Sequence, residues 1–496
     1  MPEALTVVVV GATGDLARRK VFPALFACFA RGQLPADVRF VGVARTVLDD
    51  AAFRARLADQ LACDDLESGV CSLKAGEFLR RCHYRACAYD SVSDFRACKD
   101  WLTGLEGGTR ANRILYLAVP PFVFGEAARA LAEAGLLPRS GVTDAPWTRL
   151  VVEKPFGRDR SSYDELARTL ASVCDDTQTF RIDHYLGKEV VQNLLVLRFA
   201  NAVLDALWHR RYVQHVHIAW SEQQGVAGRA GYFDQYGILR DVMQNHLMQI
   251  LTLVAMERPA ALEAGAIQDA KVAVLRHMRP LRMANLLVGQ YTAGANVAGY
   301  LQEAGVPADS ITPTYAAAVL HVDTPRWRGV PFLLTAGKAL RRSLTEVRIH
   351  FREAAASLFR ALPDGTPAAA GNELIIRVQP DERLCLRIVS KVPGAGLHLG
   401  ATELDLGFRA KYPGVRIADA YENLLLDVVR GDRSLFIRGD ELEAAWDLFT
   451  PALHALETRQ QPPSPYAWGG CGPEGLDKLA LRYGIADARI IEEGCE

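Results

Sequence analysis

The sequence predicts an α/β domain built on a doubly wound parallel sheet over residues 1–180, then an α+β domain over 181–496 with a large, mainly antiparallel sheet. Three observations carry this. Apolar runs in the first third are continuous rather than alternating, as strands covered on both faces require. Amphipathic helical stretches separate them, the rhythm of βαβ units. Beyond Phe180 the runs become partly alternating and are joined by long connections, as in a larger sheet of another kind. A chain of 496 residues also exceeds one small core and suggests roughly two to four domains.

The first strand is "TVVVV". The stretch before it holds an acid and no basic run, so it reads as strand rather than signal peptide. Gly11-Ala12-Thr13-Gly14-Asp15-Leu16 follows, leading into a helix of the type "ARRKVFPALFACFARG". Glycines at 11 and 14 let backbone N–H groups approach a pyrophosphate, and Thr13 adds a hydroxyl donor. Position 16 is Leu rather than Gly, which excludes the P-loop pattern. The second strand, "RFVGVA", ends at Arg45, where a sheet that binds NAD carries Asp or Glu. A guanidinium there suits a 2′-phosphate and points to NADP. The strands "RILYLAV" and "RLVVEK" complete this Rossmann-like part, and Lys154 stands at the carboxyl end of the latter.

In the second domain, "QHVHIAW", "AAAVLHV", "EVRIHF", "ELIIRV" and "RLCLRIV" read as strands, with helices at "LRDVMQNHLMQILTLVAM" and "YENLLLDVVRG". "RIDHYLGKE" gathers Asp183, His184, Tyr185 and Lys188, donors suited to a phosphate monoester, although a polar loop of chance composition reads equally well. His246 sits among polar residues on an otherwise apolar helix; proton transfer there would need an orienting carboxylate, for which Asp183 is a candidate if the fold unites them. Lys338 in "LLTAGKALRR" is by itself an ordinary basic loop residue.

Charge balance, 57 basic against 58 acidic residues, leaves −1 and no global field for nucleic acid or anionic membrane. No apolar run approaches the ~18–20 residues that span a bilayer. Five of the ten cysteines lie between Cys63 and Cys98 without any C-x-x-C; a zinc reading of Cys82, His83 and Cys87 fails on spacing, and reduced cytosolic thiols are expected.

Taken together, "GATGDLARRK", "VGVART", "EKPFGRD", "RIDHYLGKE", "GRAGYFDQYGILRDVMQNHLMQ", "TPRWRGVPF", "AGKAL" and "YENLLLDVVRGD" resemble the glucose-6-phosphate dehydrogenase family over nearly the whole chain. The resemblance implies oxidation of glucose 6-phosphate at C1 to the lactone, with hydride passing to NADP+. It implies that His246 is the general base and Asp183 its partner, and that His184, Tyr185 and Lys188 hold the 6-phosphate. Glu222 and Asp241 would bind sugar hydroxyls, Lys154 sugar and cofactor, and Lys338 the substrate. Gly11, Ala12, Thr13, Gly14, Asp15, Leu16 and Arg45 would hold the cofactor, without a metal. A cytoplasmic homodimer or homotetramer is expected, with neither nucleic acid nor membrane as partner. Three departures stand out: Ser343 occupies a position usually basic, with Arg341 or Arg342 as substitutes; Phe124 replaces a frequent tyrosine; and Cys385 replaces a tyrosine beside Arg348, Arg377 and Arg387. The last argues against the second, structural NADP site of animal-type members. A dehydrogenase of another sugar and a non-catalytic nucleotide-binding module are the alternatives, a kinase being disfavoured by the missing P-loop.

Overall fold

The computed structural model describes residues 4–486, 488 and 489, except 62–67, 109–110, 140–145, 296, 354–370 and 397. The chain forms two compact units. The first comprises Met1–Glu189, Ala260–Gln268 and Arg416–Glu443; the second comprises Val190–Pro259, Asp269–Val415 and Ala444–Glu496.

Six strands make the sheet of the first unit: β1 Leu5–Val10, β2 Val38–Ala44, β3 Cys82–Ala86, β4 Asn112–Leu117, β5 Thr148–Glu153 and β6 Thr179–Ile182. They lie in the order β3-β2-β1-β4-β5-β6, and every pairing is parallel. The order reverses between β1 and β4, where doubly wound sheets open a ligand crevice at their carboxyl edge. β1, β4 and the interior of β2 are buried throughout, which is why "TVVVV" and "RILYL" are unbroken apolar runs. Phe22, Phe26, Phe40 and Phe78 pack in this core, together with Leu424, Leu425 and Val428 from the helix Ala420–Arg430 far down the chain. That helix has a full capping box at Asp419 and Glu422, and stops on Gly431 in the left-handed region at φ 81°.

Behind β1 the expected continuous helix is instead a π-helical turn, Ala17–Val21, followed by the α-helix Phe22–Ala30. Pro23 lacks an N–H at the junction, so the hydrogen-bond ladder cannot run through in α register.

The second unit has nine strands: β7 Val213–Ser221, β8 Leu286–Thr292, β9 Tyr315–His321, β10 Pro331–Gly337, β11 Leu344–Phe351, β12 Glu373–Gln379, β13 Arg383–Lys391, β14 Leu399–Gly407 and β15 Ser464–Ala467. Their order is β14-β13-β12-β11-β7-β10-β9-β8-β15. Only β10 with β7 and β15 with β8 run parallel, so the sheet is mainly antiparallel as expected. After β7 come the helix Ala230–Ile238, a π-helical stretch Leu239–Leu247 that packs on β7 and β10, and the α-helix Met248–Ala255.

The cysteines depart from expectation. Cys28, Cys82, Cys87, Cys98, Cys174 and Cys385 are free and buried, but Cys71 and Cys471 each take part in a disulfide. Cys63 and the terminal "EEGCE" lie outside the described residues. Cys82 points into the core while its neighbour His83 turns the other way to Asp50, with Nδ1 3.0 Å from Oδ2, which separates the supposed zinc pair.

Candidate active site

In the first unit the candidate residues share one edge. β1 ends at Val10 beside Val43 and Leu117, and β5 ends at Glu153 beside Ile182. One residue further along, Gly11, Arg45, Lys154 and Asp183 leave the carboxyl ends of four strands. Parallel pairing makes this collection possible, because it points every strand end the same way.

The turn after β1 is tied down by its own backbone. Gly11 and Ala12 donate N–H to the Val43 carbonyl at 2.7 and 3.1 Å, and Gly14 donates to Gly11 at 2.9 Å. Gly11 has φ 92°, and a Cβ there would run into the Ala118 carbonyl oxygen. Only glycine fits at this position, which shapes the tight strand-to-helix turn on which a pyrophosphate would rest. Ala12 is buried beneath the turn, while Thr13, Asp15 and Leu16 face outward to differing degrees. Arg45 is exposed directly after β2, its guanidinium 5.3 Å from the centre of the Tyr89 ring. The donor set fits a dinucleotide carrying a 2′-phosphate.

Asp183 is 1% exposed and opens a 3-10 turn, His184–Gly187, by accepting the Tyr185 N–H on Oδ1 at 3.0 Å. His184 meets Tyr185 edge-on, with ring centres 5.0 Å apart, and lies nearly parallel to Tyr421 at 6.1 Å. Lys188 holds its Nζ 5.1 Å from the Tyr185 ring centre. Gly187 is pressed so closely on the helix Ala420–Arg430 that a Cβ would strike the Ala420 carbonyl oxygen, and its own carbonyl accepts from Asn423 Nδ2 at 3.0 Å.

Sequence reasoning passed over Glu153 and the role of Tyr421. Glu153 sits between the buried core and Lys154, and its Oε1 accepts the Tyr116 hydroxyl at 2.5 Å. Burial pushes its carboxyl up to about 7, partly countered by hydrogen bonds from Tyr116 and Tyr421 and by Lys154. An acid directly behind the buried apolar run Leu150–Val152 was the available signal.

In the second unit the same logic recurs on β7 and β10. Gly337 pairs with Ser221 in parallel register, so Glu222 and Lys338 leave adjacent strand ends together. Lys338 Nζ lies 2.6 Å from Glu222 Oε2, 5.1 Å from the Trp220 ring centre and 5.5 Å from that of Phe233. Thus Lys338 is a strand-end residue rather than a loop residue. The π-helical stretch Leu239–Leu247 packs on β7 and β10 and carries half-buried Asp241 and buried His246.

The departures resolve as packing. Ser343 Oγ accepts the Gln223 N–H at 3.1 Å, and Phe124 is fully buried at the start of the helix Phe124–Glu133. Arg348 and Arg377 both bind Glu346 at 2.7 Å, and Arg387 reaches Glu373 at 3.2 Å and Glu403 at 2.9 Å. These guanidiniums hold the sheet's own carboxylates.

Two family models match the chain: glucose-6-phosphate dehydrogenase, NAD binding domain, over residues 8–193, and glucose-6-phosphate dehydrogenase, C-terminal domain, over 195–486. The chain is 48% identical over 485 residues to glucose-6-phosphate 1-dehydrogenase 1, chloroplastic, of Arabidopsis thaliana, covering 97% of this chain and 83% of that one. It is 43% identical over 487 residues to the Dictyostelium discoideum glucose-6-phosphate 1-dehydrogenase, covering 97% and 94%. A solved glucose-6-phosphate dehydrogenase in complex with its substrate glucose-6-phosphate superposes with a TM-score of 0.89 at 38% identity, over 97% of this chain and 98% of that one. A strand-end nucleotide turn and matches running from residue 8 to residue 486 lead to one conclusion: the chain belongs to the glucose-6-phosphate dehydrogenase family.

Proposed function

We infer that this protein oxidises glucose 6-phosphate at C1 to 6-phosphoglucono-1,5-lactone, the first step of the oxidative pentose phosphate pathway, as an NADP-dependent dehydrogenase (EC 1.1.1.49). The observation that carries the reading is the alignment of Gly11, Arg45, Lys154 and Asp183 along one carboxyl edge, within a chain that matches the family almost end to end.

Residues 1–180 carry the coenzyme and residues 181–496 the sugar-binding and oligomer-forming surfaces. Gly11, Ala12, Thr13, Gly14, Asp15 and Leu16 supply the turn that cradles the pyrophosphate, and Arg45 binds the 2′-phosphate. NADP+ held there supplies the hydride acceptor. His184, Tyr185 and Lys188 hold the sugar's phosphate, which fixes the position of C1. Glu222 and Asp241 orient the hydroxyls, Lys338 adds a further contact, and Lys154 serves sugar and coenzyme. His246 takes the C1 hydroxyl proton at an imidazole nitrogen, and Asp183 stabilises the resulting imidazolium.

Among the described residues no helix is long and apolar enough to cross a membrane. We propose a cytoplasmic homodimer or homotetramer without a nucleic-acid partner; the six buried free thiols fit a reducing compartment, whereas the disulfides of Cys71 and Cys471 do not. The test is NADPH absorbance at fixed enzyme with glucose 6-phosphate against glucose. Rapid reduction with the phosphorylated sugar and little with glucose is expected. Equal rates would remove the phosphate clamp, and no reduction with either sugar would favour a non-catalytic nucleotide-binding protein.

A further inference from the structure

A cavity of about 370 Å3 lies wholly within the second unit and shares no residue with the candidate active site. Its volume falls in the range of about 300–1,000 Å3 usual for small-molecule sites. Leu281, Val319 and Val322 are buried beneath it, at the end of β9 and the segment that leads into β8. One wall is aromatic: the rings of His321 and Tyr483 stand 5.6 Å apart, and the Tyr483 hydroxyl is tied to Asn285 Oδ1 at 2.5 Å.

The charged lining is Arg279, Arg282, Arg328 and Asp323. Arg328 Nε lies 2.8 Å from Asp323 Oδ1, and Arg279 Nη2 lies 3.4 Å from Oδ2. One carboxylate therefore pairs with two of the three guanidiniums, and the lining as a whole carries 3 − 1 = 2 positive charges. Each guanidinium has five N–H donors, so the shared acid leaves most of them available. Burial, aided by Arg279, holds the His321 imidazole below its ordinary value of 6.5, so it is neutral near pH 7 and can offer a donor without further charge. Exposed ion pairs stabilise a fold very little. A positive rim above an apolar, ring-walled floor has the chemistry of a site for a dianion.

We propose that this cavity binds a phosphate monoester carried on a flat ring, a nucleoside 5′-monophosphate, its phosphate on Arg282 and Arg328 and its base against His321 and Tyr483. The probes are AMP and inorganic phosphate, titrated calorimetrically into the full-length protein with NADP+ saturating the nucleotide turn. AMP is expected to bind more tightly than phosphate. Replacing both arginines, Arg282→Ala with Arg328→Ala, is expected to weaken AMP roughly tenfold or more. Turnover with glucose 6-phosphate should stay at the parent level in that double variant, because neither residue touches the catalytic cluster. Lys188→Ala should leave AMP binding unchanged. The proposal is overturned by any of three results: no AMP binding, phosphate binding as tightly as AMP, or AMP binding that survives the double change and vanishes with Lys188→Ala.

Discussion

In the proposed function, Arg45 sets the choice of coenzyme through its position at the end of β2. Strands of this kind end in an acid when a ribose hydroxyl is the target, and here a guanidinium stands free of the sheet over Tyr89. Arg45→Ala should raise the KM for NADP+ roughly tenfold or more while leaving that for NAD+ nearly unchanged. Equal weakening of both coenzymes would detach Arg45 from the 2′-phosphate. Glu153 makes a different kind of prediction. Its carboxyl is raised from 4.5 to about 7, first by burial, so the folded protein holds a proton there that the unfolded chain has lost. The stability linked to that proton is full below about pH 4.5 and is lost as pH rises through 7. The difference is worth on the order of 3 kcal/mol. Glu153→Gln should therefore flatten the fall in thermal stability between pH 5 and 8, as ~pH-stepped melting curves would show. A variant that follows the parent curve would mean that Glu153 is ionised throughout.

At the scale of elements, the candidate residues gather at strand ends in both units, and one close contact positions the residues proposed to hold the phosphate. The turn His184–Gly187 rests on the helix Ala420–Arg430 at Gly187, where no side chain fits. Gly187→Ala should raise the KM for glucose 6-phosphate roughly tenfold, with the KM for NADP+ less affected, because it displaces His184 and Lys188 but not Gly11. Unchanged sugar kinetics would show that the turn tolerates the shift. The strands β1, β2, β4 and β5 were legible because their apolar runs are continuous and rich in β-branched residues, as strands covered on both faces require. β3 was not, since "CHYRA" alternates and mixes a histidine with an arginine on the sheet edge. β14, "LGATELDLG", is an edge strand with glycines and acids and little buried surface. The two π-helical stretches were equally hidden, because over two turns their apolar spacing differs little from that of an α-helix. Lys338 looked like a loop lysine because its neighbours Gly337 and Ala339 mark a turn, and its partner Glu222 lies 116 residues earlier.

Over the whole molecule, the site residues divide between two units that are each interleaved in sequence. The first unit takes Arg416–Glu443 from late in the chain, and with it Tyr421, which faces His184. Local motifs could name the chemical groups but could not show this return, because no periodicity encodes which core a helix joins. In the proposed function, the strand-end geometry in each unit, with Lys154 level with Asp183 and Glu222 bonded to Lys338, is what binds and orients the sugar. The reaction itself is assigned to proton removal by His246. Steady-state kinetics of His246→Asn test that claim most directly. For this variant kcat should fall by a factor of ~10² or more, with the KM values for glucose 6-phosphate and NADP+ close to those of the parent enzyme. A variant with near-normal kcat and a greatly raised sugar KM would contradict it, and would make His246 a binding residue instead of the base.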